Sequence, residues 1–156
     1  VLKMLHFLCH QKVATPNSKA PWYEWSARSQ VGKYGKTIDE VSKETGVDSQ
    51  LISAIMHMET THGYYDPLIS WTGRNKSILP MNINVNYWGG FWGNRNNLQD
   101  PEANIRAGAE MLKRIKNNYP DASIAEIATL YNNLNATQVS DYGARVDVFY
   151  KTQPWR

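Results

Sequence analysis

Cysteine is nearly absent from this chain of 156 residues: Cys9 stands alone, so no internal disulfide can close and no cysteine cluster can hold a metal. Folding must rest on packing, and the redox compartment stays undecided. Charge of one sign is also scarce. Seventeen basic and 14 acidic residues leave a formal net charge of +3, and the basic ones are scattered rather than gathered into a stripe, which argues against nucleic acid as a target. Such mild positive charge suits a polyanionic envelope polymer and equally suits ordinary solubility. Long apolar runs are missing too. Val1-Leu2-Lys3-Met4-Leu5-His6-Phe7-Leu8 is too short to span a bilayer and lacks the small-residue cleavage pattern of an export signal. No membrane span is expected. A chain opening on Val reads as a processed product or an excised piece of a larger protein, with room for export information upstream. There are no repeats and no low-complexity tract. Hydrophobic content, at 42%, is ample for one core without staples.

The stretch Ala14-Thr15-Pro16-Asn17-Ser18-Lys19-Ala20-Pro21 has linker composition. Residues 1–36 are therefore expected to form an N-terminal extension and lead-in helix packed on a main domain of residues 37–156. Pro21 suits a first helical turn leading into Trp22, Trp25 and Arg28, loosening at Gly32 and Gly35. Thr37-Ile38-Asp39-Glu40 fits a capping box with Gly46 as the stop, which predicts a helix from about Ile38 to Thr45. Asp48 can cap the next helix. Asp100-Pro101-Glu102 opens a long helix with Ile105, Ala109, Leu112 and Ile115 on one face, ending near Asn117. Ser123-Ile124-Ala125-Glu126 is a second capping box, and a last helix over roughly Asp141 to Lys151 would bury Val146, Phe149 and Tyr142.

Glu59 is out of place. Ile52, Ile55 and Met56 precede it by seven, four and three positions, so at about 100° per residue the acid shares their apolar face. Dehydration there favours the protonated carboxyl, and a carboxyl that keeps its proton near neutral pH can donate it to a leaving group. Fraying of the helix before Glu59 would instead leave an ordinary solvated carboxylate.

Between residues 64 and 97, Tyr64, Tyr65, Trp71, Tyr87, Trp88, Phe91 and Trp92 are interleaved with seven asparagines, among them Asn82, Asn84 and Asn86. Aromatic faces stack on sugar C–H faces, and amides serve hydroxyl and N-acetyl groups. The same residues also fill cores and turns.

Five blocks in order carry a resemblance: Val47-Asp48-Ser49-Gln50-Leu51-Ile52-Ser53-Ala54-Ile55-Met56-His57-Met58-Glu59-Thr60; Pro80-Met81-Asn82-Ile83-Asn84; Asp100-Pro101-Glu102-Ala103-Asn104-Ile105-Arg106-Ala107-Gly108; Leu130-Tyr131-Asn132; and Tyr142-Gly143-Ala144-Arg145-Val146. Together they resemble the soluble lytic transglycosylase and goose-type lysozyme family over residues 37–150. The resemblance implies a mainly α, lysozyme-like domain with at most a small β-hairpin region in the substrate groove. It implies cleavage of the β-1,4 bond between N-acetylmuramic acid and N-acetylglucosamine in peptidoglycan. Glu59 takes the catalytic position, with Thr60 where the family has Ser. Met81, Asn82 and Ile83 match the Met-Gln-Ile floor of the groove, and Tyr131 and Asn132 match the Tyr-Asn pair facing the acid. Leu79-Pro80, Asn133-Leu134 and the run Thr61-His62-Gly63-Tyr64-Tyr65-Asp66 depart from the pattern.

By the same resemblance one Glu suffices, because the substrate's 2-acetamido group stabilises the sugar cation and the 6-hydroxyl closes a 1,6-anhydro ring. An inverting muramidase would need a second carboxylate at a distance, for which Asp66 is the nearest candidate, although Asp66-Pro67 also reads as a turn. A glycan-binding domain without chemistry would not need Glu59. The spacing His57-x-Glu59-x-x-His62 is superficially like a zinc-protease motif, but histidines five apart point about 140° from each other. No metal and no cofactor are expected; His57 is expected to be partly buried or at the surface, and His62 to help shape the loop after the acid. Peptidoglycan strands are the expected partner, at a periplasmic or envelope site or after secretion to the wall. Fused domains, a secretion apparatus or an immunity protein would be further partners, depending on the biological role.

Overall fold

The computed structural model describes residues 24–63, 80–83, 98 and 100–156. Six helices lie among them: α1 (Glu24–Lys33), α2 (Gly35–Thr45), α3 (Ser49–Gly63), α4 (Pro101–Asn118), α5 (Ile124–Asn132) and α6 (Asp141–Thr152). The architecture is mainly α, as expected. No strand occurs among the described residues, and the region expected to carry a hairpin lies largely outside them.

Most boundaries follow from the caps. Gly46 ends α2 in the left-handed conformation at φ 76°, where its N–H reaches Ser42 O. Asp48 opens α3 by accepting the Gln50 N–H on Oδ1. Asp100 Oδ2 accepts from Ala103 N, with Pro101 at the first helical position. At α5 both halves of the capping box form: Ser123 Oγ accepts from Glu126 N, and Glu126 Oε2 accepts from Ser123 N.

One cap differs. The helix begins at Gly35 rather than Ile38, and Thr37 is buried inside its first turn instead of capping it. The cap position falls to Tyr34, which makes no side-chain cap bond. Here α1 runs almost directly into α2: Tyr34 N–H bonds to Gln30 O while Tyr34 O accepts from Ile38 N–H. The preceding helix thus supplies what a separate cap would have done.

Helix α3 is the hub. It packs against α1, α2, α4 and α6, and every residue from Leu51 to Thr61 is buried. The expectation of one apolar face named too few positions, because Ala54, His57 and Met58 are as inaccessible as Ile52, Ile55 and Met56. A helix covered all round belongs to the centre of a fold. Around it, α5 packs on α6 and α2 on α4. The α5–α6 approach is close: a Cβ added to Gly143 would lie 2.0 Å from Thr129 Oγ1 and 2.3 Å from Ala125 O.

His57 is the clear correction. It is fully buried, its ring edge-on to Phe149 at 4.6 Å and tilted against Trp155 at 5.8 Å. Neither ring nitrogen has a hydrogen-bond partner among the described residues. Burial, helped by the positive charge of Arg28, pushes its pKa down to about 4, so the ring is neutral near pH 7. The side chain of His62 lies outside the described residues.

Candidate functional site

Glu59 stands one turn before the end of α3 and is only 5% exposed. Its two carboxylate oxygens have separate donors. Tyr142 Oη, from the first turn of α6, donates to Oε1 at 2.7 Å, and Asn82 Nδ2 donates to Oε2 at 3.1 Å. Both bonds favour the charged form, yet burial outweighs them and raises the pKa to about 7. Near neutral pH the carboxyl is therefore poised between proton donor and proton acceptor.

The Asn82 amide is aimed by the backbone beneath it. Met81 is clamped at both ends of its peptide: Asn104 Oδ1 accepts its N–H at 2.8 Å, and Tyr131 Oη donates to its carbonyl at 2.8 Å. The same Asn104 donates from Nδ2 to Leu98 O at 3.3 Å, so one side chain of α4 ties down two separate chain segments. The Met81 side chain fills the space above Gly108, where an added Cβ would come within 2.8 Å of it. With Met81 fixed, Asn82 takes φ 40°, a left-handed conformation that Asn tolerates better than most residues. Asn82 is itself exposed, so Oε2 of Glu59 lies next to the surface.

Tyr131 and Tyr142 are both buried, and both phenols are pushed well above their usual range by burial and by the nearby Glu59 charge. Each remains a hydroxyl that donates, Tyr142 to the acid and Tyr131 to the segment that carries Asn82.

Of the residues singled out in the sequence, the structure brings together Glu59, Met81, Asn82 and Tyr131. Ile83 is buried beside them in chain order, in the same core. Thr60 turns its hydroxyl back to Met56 O at 2.8 Å, a bond within α3. Asn132 is exposed at the end of α5. Asp66 and, apart from Asn82, the interleaved aromatic and asparagine residues lie outside the described residues.

Two residues of the site were not recognised as such from the sequence. In the sequence Tyr142 is a buried position of the last helix and the first residue of one resembling block, and Asn104 a member of another, with no role at the acid attached to either. A signal existed for both: a phenol and an amide on apolar helix faces must find partners when buried.

Among the described residues no group of three His, Cys, Asp or Glu side chains could hold a metal ion, and no helix is long and apolar enough to cross a membrane. Comparison with known proteins finds no matching family model, no matching curated protein and no matching solved structure.

Proposed function

We propose that the protein is a lysozyme-like, peptidoglycan-cleaving enzyme that acts on the β-1,4 bond between N-acetylmuramic acid and N-acetylglucosamine as a lytic transglycosylase. The observation that carries this reading is the state of Glu59: a buried carboxyl, its pKa raised to about 7, gripped on one oxygen by Tyr142 and on the other by an exposed amide.

The chemistry proceeds in two proton transfers. Protonated Glu59 gives its proton to the glycosidic oxygen as the bond from that oxygen to the muramyl C1 breaks, and the substrate's acetamido group stabilises the cation at C1. The carboxylate left behind takes the proton of the muramyl 6-hydroxyl as that oxygen bonds to C1. A 1,6-anhydro ring closes, Glu59 regains its proton, and no water is consumed. A pKa near 7 suits a group that must act first as acid and then as base. Tyr142 supports the charged intermediate state of Glu59 by donating to it, and Asn82 holds the other oxygen at the surface side.

Similarity of residues 37–150 to the lytic transglycosylase and goose-type lysozyme blocks supports the substrate assignment. This reading places the protein at the cell wall, in the periplasm or envelope or delivered from outside, with glycan strands as its partner. Digestion of purified sacculi followed by mass spectrometry tests bond, substrate and mechanism together. Anhydro-muramyl ends are expected. Reducing muramic ends would replace the one-carboxyl route with hydrolysis, for which Asp66 is the candidate base. Glu59→Gln is expected to abolish release while leaving sacculus binding intact; undiminished release by that variant would remove Glu59 from the chemistry.

A further inference from the structure

Where a proton sits on Glu59 matters as much as whether it is there. Oε1 takes a hydrogen from the buried Tyr142, whereas Oε2 is bonded to Asn82, which is exposed. A group arriving from outside therefore meets Oε2, and a proton to be delivered to it has to ride on that oxygen. A fixed Asn82 amide would stand in its way. Nδ2, at 3.1 Å, points its own hydrogen at Oε2, and an N–H facing an O–H sets two hydrogens against each other with no acceptor between them.

Asn82 is placed to resolve the conflict. Its backbone is held, because Met81 is pinned at both ends by Asn104 and Tyr131, and Ile83 on its other side is buried. Its side chain is under no such restraint. The torsion about Cβ–Cγ of an Asn is broad and two-fold, so a turn of about 180° puts Oδ1 nearly where Nδ2 was, and water serves whichever group faces outward. One planar head then offers a donor or an acceptor to the same oxygen, which neither Lys nor Asp could do. The left-handed backbone at φ 40° narrows the choice of residue further, since Asn is among the few that accept it readily.

We propose that Asn82 is the positioning residue for the Glu59 proton: its amide donates to Oε2 of the carboxylate and, turned over, accepts the hydrogen of the neutral acid, holding that hydrogen on Oε2 at the surface side. The exchange of the amide needs no substrate. Its use rests on the reaction proposed above, in which the glycosidic oxygen takes the place of Oδ1 as acceptor of that hydrogen, and Nδ2 returns to Oε2 once the proton has gone. Among the described residues the titratable neighbours of Glu59 are Tyr142 on α6 and Tyr131 on α5, both hydroxyls throughout the range in which it titrates. No ion pair reaches it from α1, α2 or α4 among those residues, and His57 on its own helix titrates at about 4.

The unaltered full-length protein is the first test. Amide-resolved NMR follows exchange of the Asn82 side-chain NH₂ with water, with the exposed Asn117 side chain as reference, while the Glu59 carboxyl carbon records its titration. Near pH 8.5 one Asn82 amide hydrogen is expected to exchange about ten-fold or more slowly than the reference, held by the carboxylate. Near pH 5 that protection should be gone, and the change should centre on the Glu59 midpoint at about 7. Asn82→Asp keeps the shape and the left-handed backbone but brings a charge that can only accept. The Glu59 midpoint should then rise by about one pH unit or more, and the alkaline limb of sacculus digestion should follow it upward. Equal protection near pH 5 and pH 8.5, or a midpoint unmoved by Asn82→Asp, would overturn the inference whatever the activity. A midpoint that rises while the digestion profile stays in place would support the inference and remove Glu59 from the reaction.

Discussion

Replacing Glu59 with Gln should make the protein inactive and, at alkaline pH, more stable. The carboxyl titrates at about 7 in the fold against an ordinary 4.5, a gap of about 2.5 pH units. At about 1.4 kcal/mol per unit, keeping Glu59 charged in the fold costs about 3 kcal/mol. The folded pKa is the higher one, so the native state binds the proton more tightly. Stability is full below pH 4.5, declines as pH rises through the window from 4.5 to 7, and is lowest above it. Gln is neutral throughout and nearly the same shape, and the exposed Asn82 amide can turn over to offer its oxygen to the new NH₂ group. The variant should therefore match the parent near pH 4 and exceed it by about 3 kcal/mol near pH 8.5, which for a domain of this size raises the melting midpoint by roughly 6–12 °C. The protonation of His57 cancels in the comparison, since both proteins carry it. Urea unfolding of the two proteins at a series of pH values measures the difference directly. A stability gap that does not change between pH 4 and pH 8.5 would mean that Glu59 is solvated, and the argument for a proton donor would fail with it.

Tyr142→Phe removes a donor that favours the charged carboxylate, so the pKa of Glu59 should rise. The alkaline fall in the pH profile of sacculus digestion should move to higher pH while the rate drops, and an unmoved profile would deny the bond a part in setting the acid. His57→Leu removes a buried ring whose pKa of about 4 lies below its ordinary 6.5. The parent loses about 3 kcal/mol as pH falls through that window, and the variant should not; equal acid sensitivity by thermal melting would refute it. Asn104→Ala cuts the ties to Met81 and Leu98 and should cost about 1–3 kcal/mol in denaturant unfolding, with kcat falling because Asn82 is no longer aimed. Gly143→Ala should destabilise more than Gly108→Ala. The first drives a methyl to 2.0 Å from Thr129 Oγ1 and 2.3 Å from the Ala125 carbonyl, the second to 2.8 Å from the Met81 side chain, a milder overlap; the reverse order of melting temperatures would contradict the packing of α5 on α6.

How much could be read beforehand differs from helix to helix. At α4 and α5 the local chemistry was sufficient, because Asp100, Pro101 and Ser123 act on backbone groups within a few residues of themselves; α6 starts on Ser140, a cap that the sequence analysis does not name. At α2 the same reasoning misplaced the start by three residues, since α1 stands directly behind it and Thr37 was claimed by the core. For His57 the sequence leaves partial burial and the surface both open; only the closure of Phe149 and Trp155 over α3 buries it completely.

The site divides along the same line. By itself the sequence determined that an acid falls within an apolar helical stretch, which follows from helical periodicity and needs nothing beyond seven neighbouring residues. What only the tertiary structure decided is what that acid meets. Tyr142 is 83 residues away along the chain, and Asn82 is 23. Met81 is held between Asn104 and Tyr131, on two different helices. Contacts at such separations depend on which helices pack together, and that is settled by the burial of the whole core around α3, not by any local pattern.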